Sequence, residues 1–443
     1  MKIRNDHHVR VLLSSATFWL CACQGELAVV ENLDDGSDDL AVDDSAGGDS
    51  QADVNREQAQ TIYNNPSLIS PRSFSNGSLD RDCACASAPA FQALGCQLGE
   101  APVFGNDVVH TTSDGGVVAF TICEDKGSPL CNVVRWTQAG ALDVLAAGMA
   151  TAVSASGDRV LAQGISGARG AALTLIDENG VRTITGLGGF DGEGVLSADG
   201  EVVIGNALVD DVVYLARWTA DALEPIHEFM YGAQGLVVNS DATAILGFGS
   251  IEEDYRGFRW TASDGFSFGL PAVSGGVVWP ESQSSDGSVV AGRVRESFLT
   301  FRWSEADGYQ VLGSNSQRSD VMLSLDGSVL AGSLGGQDDD TSRAFRWTKA
   351  SGVQQLLPGV ATQLVDLSDD GSVAVFITLD GPSVTYLWDE INGTRRLEDV
   401  LDARGVDRSG WSLGTPRKLS GDGKVLLGDG TCGSNSALYR IEL

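Results

Sequence analysis

The chain repeats itself, and that periodicity constrains the fold more than any other feature. A Ser-x-Asp-Gly-like turn, followed by small and β-branched residues, recurs at intervals of 40 to 52 residues. It reads Ser113-Asp114-Gly115, Ser197-Ala198-Asp199-Gly200, Ser240-Asp241, Ser284-Ser285-Asp286-Gly287, Ser324-Leu325-Asp326-Gly327, Ser368-Asp369-Asp370-Gly371 and Ser420-Gly421-Asp422-Gly423. A degenerate copy is Ser154-Ala155-Ser156-Gly157. Downstream of most turns comes an Arg-Trp-Thr strand: Arg135-Trp136-Thr137, Arg217-Trp218-Thr219, Phe258-Arg259-Trp260-Thr261, Phe301-Arg302-Trp303-Ser304 and Phe345-Arg346-Trp347-Thr348. Tyr386-Leu387-Trp388 is a variant, and Ile176 and Ile441 take the Trp position in units two and eight.

Each unit has room for four short strands, with Asp-Gly supplying the tight hairpin between the first two. Four strands at this period is the size of a propeller blade. An isolated blade leaves two apolar faces in water, and a ring of blades buries them against neighbours. The expected fold is therefore all-β, a β-propeller of about eight four-stranded blades, with seven as the alternative count. The last unit reaches Leu443 just after its third strand, while Phe91-Gln92-Ala93-Leu94 reads like a fourth strand such as Val353-Gln354-Gln355-Leu356. An N-terminal strand near Phe91 to Leu94 is thus expected to complete blade eight beside Ala437 to Leu443, which removes an exposed edge.

The Asp-Gly turns, the small-residue strands and Ala344-Phe345-Arg346-Trp347-Thr348 resemble the HAF-type extracellular repeats of bacterial secreted proteins, over roughly residues 104–443. The resemblance implies blade architecture and no particular activity. TolB-type and WD40-like repeats share the turn but lack the Arg-Trp-Thr strand.

Lys2, Arg4 and Arg10 lie before or at the start of the apolar run Val11 to Leu20, which is too short to span a bilayer as a helix. It ends in Leu20-Cys21-Ala22-Cys23, which resembles a bacterial lipobox with Cys23 as acceptor. That resemblance implies cleavage after Ala22, lipidation of Cys23 and export. With Gln24 next, it implies an outer-membrane lipoprotein, either periplasmic or surface-exposed. Between Gln24 and Gln60, 11 acids stand against Arg56 alone and no apolar period appears, so self-repulsion should hold this segment open. The expected organisation is a lipoprotein signal peptide at 1–22, the lipidated cysteine and acidic disordered tether at 23–82, and the propeller at 83–443. As a flexible coil, the tether has a reach of roughly 45 Å. Its aspartates lack the spacing of a preformed calcium loop. No cofactor is expected, and calcium is the one ion worth testing.

With 60 acidic and 29 basic side chains the net charge is -31, which argues against nucleic acid, since phosphate contacts need clustered Lys and Arg. Apart from Cys21 and Cys23, the cysteines are Cys83, Cys85, Cys96, Cys123, Cys131 and Cys432. In an exported chain they point to disulfides. Cys123 and Cys131 flank one loop of blade one, and ring closure would bring Cys96 near Cys432. Cys83 and Cys85 have no evident partner.

The Arg and Asp that recur once per unit read as scaffold, each Arg expected to pair with a turn Asp, and the Trp residues as inter-blade packing. Function should sit where units differ. Turns after strands one and three recur, whereas the other two connections vary and share the opposite face. The candidate binding face carries Phe190, Tyr231, Tyr255, Trp279, Asp338, Asp339, Asp340 and Trp411. Past the signal only His110 and His227 remain as histidines, and no nucleophile elbow, zincin helix or phosphate loop appears. The expectation is a monomeric, membrane-anchored module that binds a protein or glycan. A propeller hydrolase or lyase acting on surface polysaccharide is one alternative, because such enzymes gather residues from distant blades. An outer-membrane assembly factor, similar to the barrel-assembly lipoprotein with its eight-bladed propeller, is the other.

Overall fold

A computed structural model describes residues 79–80, 91–97, 109–123, 131–139, 142–164, 171–189, 194–210, 212–219, 222–230, 232–251, 254–268, 278–294, 297, 299–314, 321–335, 342–433 and 435–443. The chain is a β-propeller of eight antiparallel blades. Blade one runs from the strand Val109–Thr111 to Leu142–Ala147, and blade seven from Thr362–Leu367 to Gly393–Arg396. Blades two and three are joined by the single pair Leu187↔Ala207. The first strand of every blade touches the first strands of both neighbours, around a complete circle that includes blades eight and one. These strands are therefore innermost and line the axial channel.

Blade eight holds Trp411–Leu419, Val425–Cys432 and Asn435–Glu442, and its fourth strand is Phe91–Gln97. Phe91 lies opposite Ile441 and Gln97 opposite Ser436, so the closing strand arrives from the N-terminal side as expected. Leu79–Asp80, inside the stretch expected to be tether, adds two further pairs outside it, opposite Gln97 and Cys96. Phe91 is fully buried and shares a core with Leu387, Leu426 and Tyr439. The helix Leu397–Ala403, inserted between blades seven and eight, places Leu397 and Leu401 in that same core. Cys123 and Cys131 face each other across one hairpin as a disulfide. Cys432 is also disulfide-bonded, to a cysteine whose side chain lies outside the described ones.

The recurring turn is closed by its own side chains. The Ser284 hydroxyl donates to Asp286 at 2.6 Å, the Ser288 amide donates to the same carboxylate oxygen at 2.9 Å, and Ser284 Oγ accepts the Val289 amide at 2.9 Å. Thr112 and Asn239 fill the serine slot in blades one and four. Asp158 stands in for the missing turn acid in blade two, accepting from Ser154. Glycine is required at Gly327 on two counts. Its φ is +68°, and a Cβ there would lie 2.7 Å from Val289 of the preceding blade. Gly115 meets Val425 in the same way across the seam between blades eight and one.

The expected Arg–Asp pairing is replaced by a different contact, because the turn carboxylates are already occupied. Arg302 donates to the carbonyl of Gly327 in the next blade at 3.3 Å and lies over Trp347 of that blade at 5.3 Å. Arg346 repeats this on Gly371 and Trp388, and Arg440 on Gly115 and Trp136, which carries the latch across the seam. The Trp residues thus pack between blades as receivers of a cation. Backbone bonds reinforce the ring, running from Ala155 to Ala198, Ser240, Ser285, Leu325, Asp369 and Gly421, and from Asp422 back to Ser113.

Candidate functional site

The two mouths of the channel differ chemically. On the turn side stand Asp114, Asp158, Asp199, Asp241, Asp286, Asp326, Asp370 and Asp422, one per blade. Each is held below the usual carboxylate range. For Asp199, Asp286 and Asp326 the leading cause is the hydroxyl of the serine two residues earlier. This mouth is a fixed ring of negative charge.

On the opposite side, the hairpin between strands two and three of blade four meets the start of blade five. Phe248 stacks on Trp279 with centroids 5.0 Å apart and planes 15° apart, and Tyr255 is tilted against Phe248 at 6.4 Å. All three are half-buried and share one patch. Two of the expected binding-face residues, Tyr255 and Trp279, are thereby brought together. Trp411 lies apart from them, half-buried edge-on over Phe91 at 4.8 Å, where it covers the closing strand. Phe190, Tyr231, Asp338, Asp339 and Asp340 lie outside the described residues.

Sequence reasoning missed Phe248, although a signal existed. It sits nine residues after its turn's first residue, a slot occupied by Thr121, Asn206 and Ser333 in other blades. Those polar side chains bolt onto the next blade's innermost strand, Thr121 to Ala150, Asn206 to Ala233 and Ser333 to Leu364. Blade four replaces the polar bolt with an aromatic stack, visible in sequence only once the blades are aligned from their turns.

A second group of side chains lies on the innermost strands. Counting two residues back from each turn's first residue gives one layer of the innermost strands: Ala152, Val195, Val237, Ser282, Met322, Asp366, Lys418 and His110. Three consecutive blades therefore present ionisable groups. Lys418 Nζ sits 3.0 Å from Asp366 Oδ2. Asp366 also accepts the amides of Leu419 at 2.8 Å and Leu367 at 3.0 Å. His110 is held neutral, its pKa lowered to about 4 first by burial and then by the charge of Lys418. Its Nε2 has no hydrogen-bond partner among the described residues. Lys418 is surrounded by protein yet keeps 42% of its side-chain surface accessible, as a group on the channel wall must.

A cleft of about 580 Å³ opens on the turn side between blades seven and eight, under the exposed Ile391. Its walls are Val373, Leu387 and Val400, with the Asp389–Arg395 ion pair at the rim. It contains none of the expected site residues. Among the described residues no group of three His, Cys, Asp or Glu is placed to hold a metal ion. The tether aspartates considered for calcium lie outside them.

No family profile matches the chain, and no characterised protein sequence does. Solved propeller structures are similar to it. An oligogalacturonate lyase from Vibrio parahaemolyticus is 12% identical with a TM-score of 0.48, covering 80% of this chain and 93% of its own. An oligogalacturonate lyase in complex with manganese is 18% identical with a TM-score of 0.45, covering 66% and 87%. TolB from Acinetobacter baumannii is 12% identical with a TM-score of 0.35, covering 76% and 78%. At these identities the likeness concerns the propeller architecture alone.

Proposed function

We propose that the propeller is a binding module of the bacterial cell envelope, tethered by lipid at Cys23, that takes a glycan on the face opposite the Asp-Gly turns. The observation that supports this most is the Phe248–Tyr255–Trp279 patch on that face. Aromatic rings offer apolar faces to the C–H edges of sugars, and Tyr and Trp add polar handles. The turn side is a less suitable receptor, since its side chains are consumed in closing the ring. The Leu20-Cys21-Ala22-Cys23 stretch carries the anchoring part of the reading, because two or three acyl chains hold a protein to a bilayer where one does not.

The test is calorimetric titration of the full chain against oligosaccharides, with and without calcium, followed by assay for cleavage products. Tyr255→Ala and Trp279→Leu should weaken binding about tenfold or more, the worth of one lost stacking contact of roughly 1–2 kcal/mol. Unaltered affinity in both variants would refute the placement, and cleavage products would replace binder with enzyme. Intact mass of the membrane-extracted protein checks the lipid on Cys23, and protease shaving of whole cells checks whether the propeller is surface-exposed.

A further inference from the structure

We propose that the axial channel holds a subsite for a neutral, hydroxyl-rich ligand group, such as the end of a sugar chain, built around Lys418. This rests on the reading that the open face takes a glycan, and it names the part of the ligand that enters the ring.

The layer holding Lys418 is lopsided. Ala152, Val195, Val237 and Met322 occupy four of its eight positions, and polarity is concentrated on blades seven, eight and one. The carboxylate acceptors in this arc are already in use, and His110 Nε2 is buried away from the surface. Asp366 receives the Lys418 ammonium at 3.0 Å and two backbone amides, and retains only 6% of its side-chain surface. Ser282, elsewhere in the layer, accepts the amide of Leu323 at 3.0 Å. What the arc offers is donors. An ammonium has three N–H bonds, and Lys418 directs them toward a single carboxylate while 42% of its side-chain surface remains open.

Charge selects among ligands that accept hydrogen bonds. Lys418 is balanced by Asp366, and His110 beside it is neutral. An anion therefore gains little net attraction from the arc, and it is repelled by the turn-side carboxylates and a chain charge of -31. A cation finds no free carboxylate oxygen in the layer. A hydroxyl oxygen accepts from Lys418 without a charge penalty. Trp279 belongs to the innermost strand of blade five, three residues before Ser282 of this layer. Trp279 faces blade four through Phe248 and Ser282 faces blade six through Leu323, so the patch and the layer are joined along one strand.

The experiment uses the full chain with cellohexaose, maltohexaose and chitotetraose as neutral probes and hexagalacturonate as the charged one. Binding is read by calorimetry, and lysines are footprinted with acetic anhydride. A neutral probe that binds should slow acylation of Lys418 roughly fivefold or more at saturation. Lys349 and Lys424, both 75% exposed, should react unchanged. Lys418→Met should lower affinity for that probe about tenfold, as expected for loss of a charge-assisted hydrogen bond, and Lys418→Arg should restore part of it. Footprinting of the native protein stands alone if Lys418→Met does not fold. Binding of a neutral probe that Trp279→Leu weakens, with Lys418 left unprotected, overturns the subsite and leaves the face reading intact. Stronger protection by hexagalacturonate overturns the ligand class. Failure of every oligosaccharide to bind overturns both readings.

Discussion

Arg440→Met tests whether the ring is closed in solution. Arg440 is 2% exposed, donates to the carbonyl of Gly115 at 3.3 Å and lies 5.3 Å from the Trp136 ring centroid. It thus spans the seam between the end and the beginning of the repeat array. A charged donor to a carbonyl contributes about 1.5–3 kcal/mol, and a desolvated cation–π contact about 1–2 kcal/mol. Methionine keeps much of the apolar stem and recovers part of the cost of burying a guanidinium, so the net loss should be about 3 kcal/mol. Arg302→Met is the internal reference, having the same 3.3 Å bond and 5.3 Å ring distance between blades five and six. In a closed circle the two substitutions cost alike. In an open stack Arg440 meets no partner blade and its replacement is nearly neutral. Urea unfolding of both variants, followed by tryptophan fluorescence, makes the comparison. A loss above about 2 kcal/mol for Arg302→Met with less than about 0.5 kcal/mol for Arg440→Met would refute closure.

Phe91→Ala should cost about 3–5 kcal/mol, because a fully buried ring leaves a cavity beneath Trp411 and Tyr439; a loss below about 1 kcal/mol would place the closing strand elsewhere. Acid should destabilise the fold in two windows. His110 titrates at about 4 when folded and 6.5 otherwise, so its contribution is full above 6.5 and is lost as pH falls from 6.5 toward 4. By linkage this amounts to at most about 3 kcal/mol, with His227 shifted in the same direction by desolvation. Melting curves of His110→Gln between pH 7 and 4 should be flatter than those of the native chain, and an unchanged slope would refute the assignment. The turn aspartates act below that window, since their depressed values make stability fall only as pH drops beneath the ordinary carboxylate range. Non-reducing peptide mapping should link Cys432 to Cys83 or Cys85. Cys96 faces Ala437 and Ala437 faces Gly430, so Cys96 and Cys432 lie two strands apart, about 10 Å, beyond the roughly 7 Å that a disulfide spans. A Cys96–Cys432 peptide would show that the ladder is broken there.

The architecture was legible in the sequence because a propeller writes its geometry once per blade. Asp286, Gly287 and their counterparts recur because each turn needs an acceptor for its own amides and a residue without a Cβ against the neighbouring blade. Even the closing strand could be read, since Phe91 to Leu94 supplies the one missing copy of a repeated pattern. Contacts between blades were not legible, because nothing along the chain says which acceptor an arginine will find. The turn Asp was a reasonable partner on charge alone, yet it is already taken within its own loop, and the arginine goes to a backbone carbonyl and an indole one blade further on. The same limit applies to the site. Phe248, Tyr255 and Trp279 come from two blades, and Asp366, Lys418 and His110 from three. Periodicity decides how each blade folds on itself, and only the closing of the circle decides which side chains from different blades become neighbours.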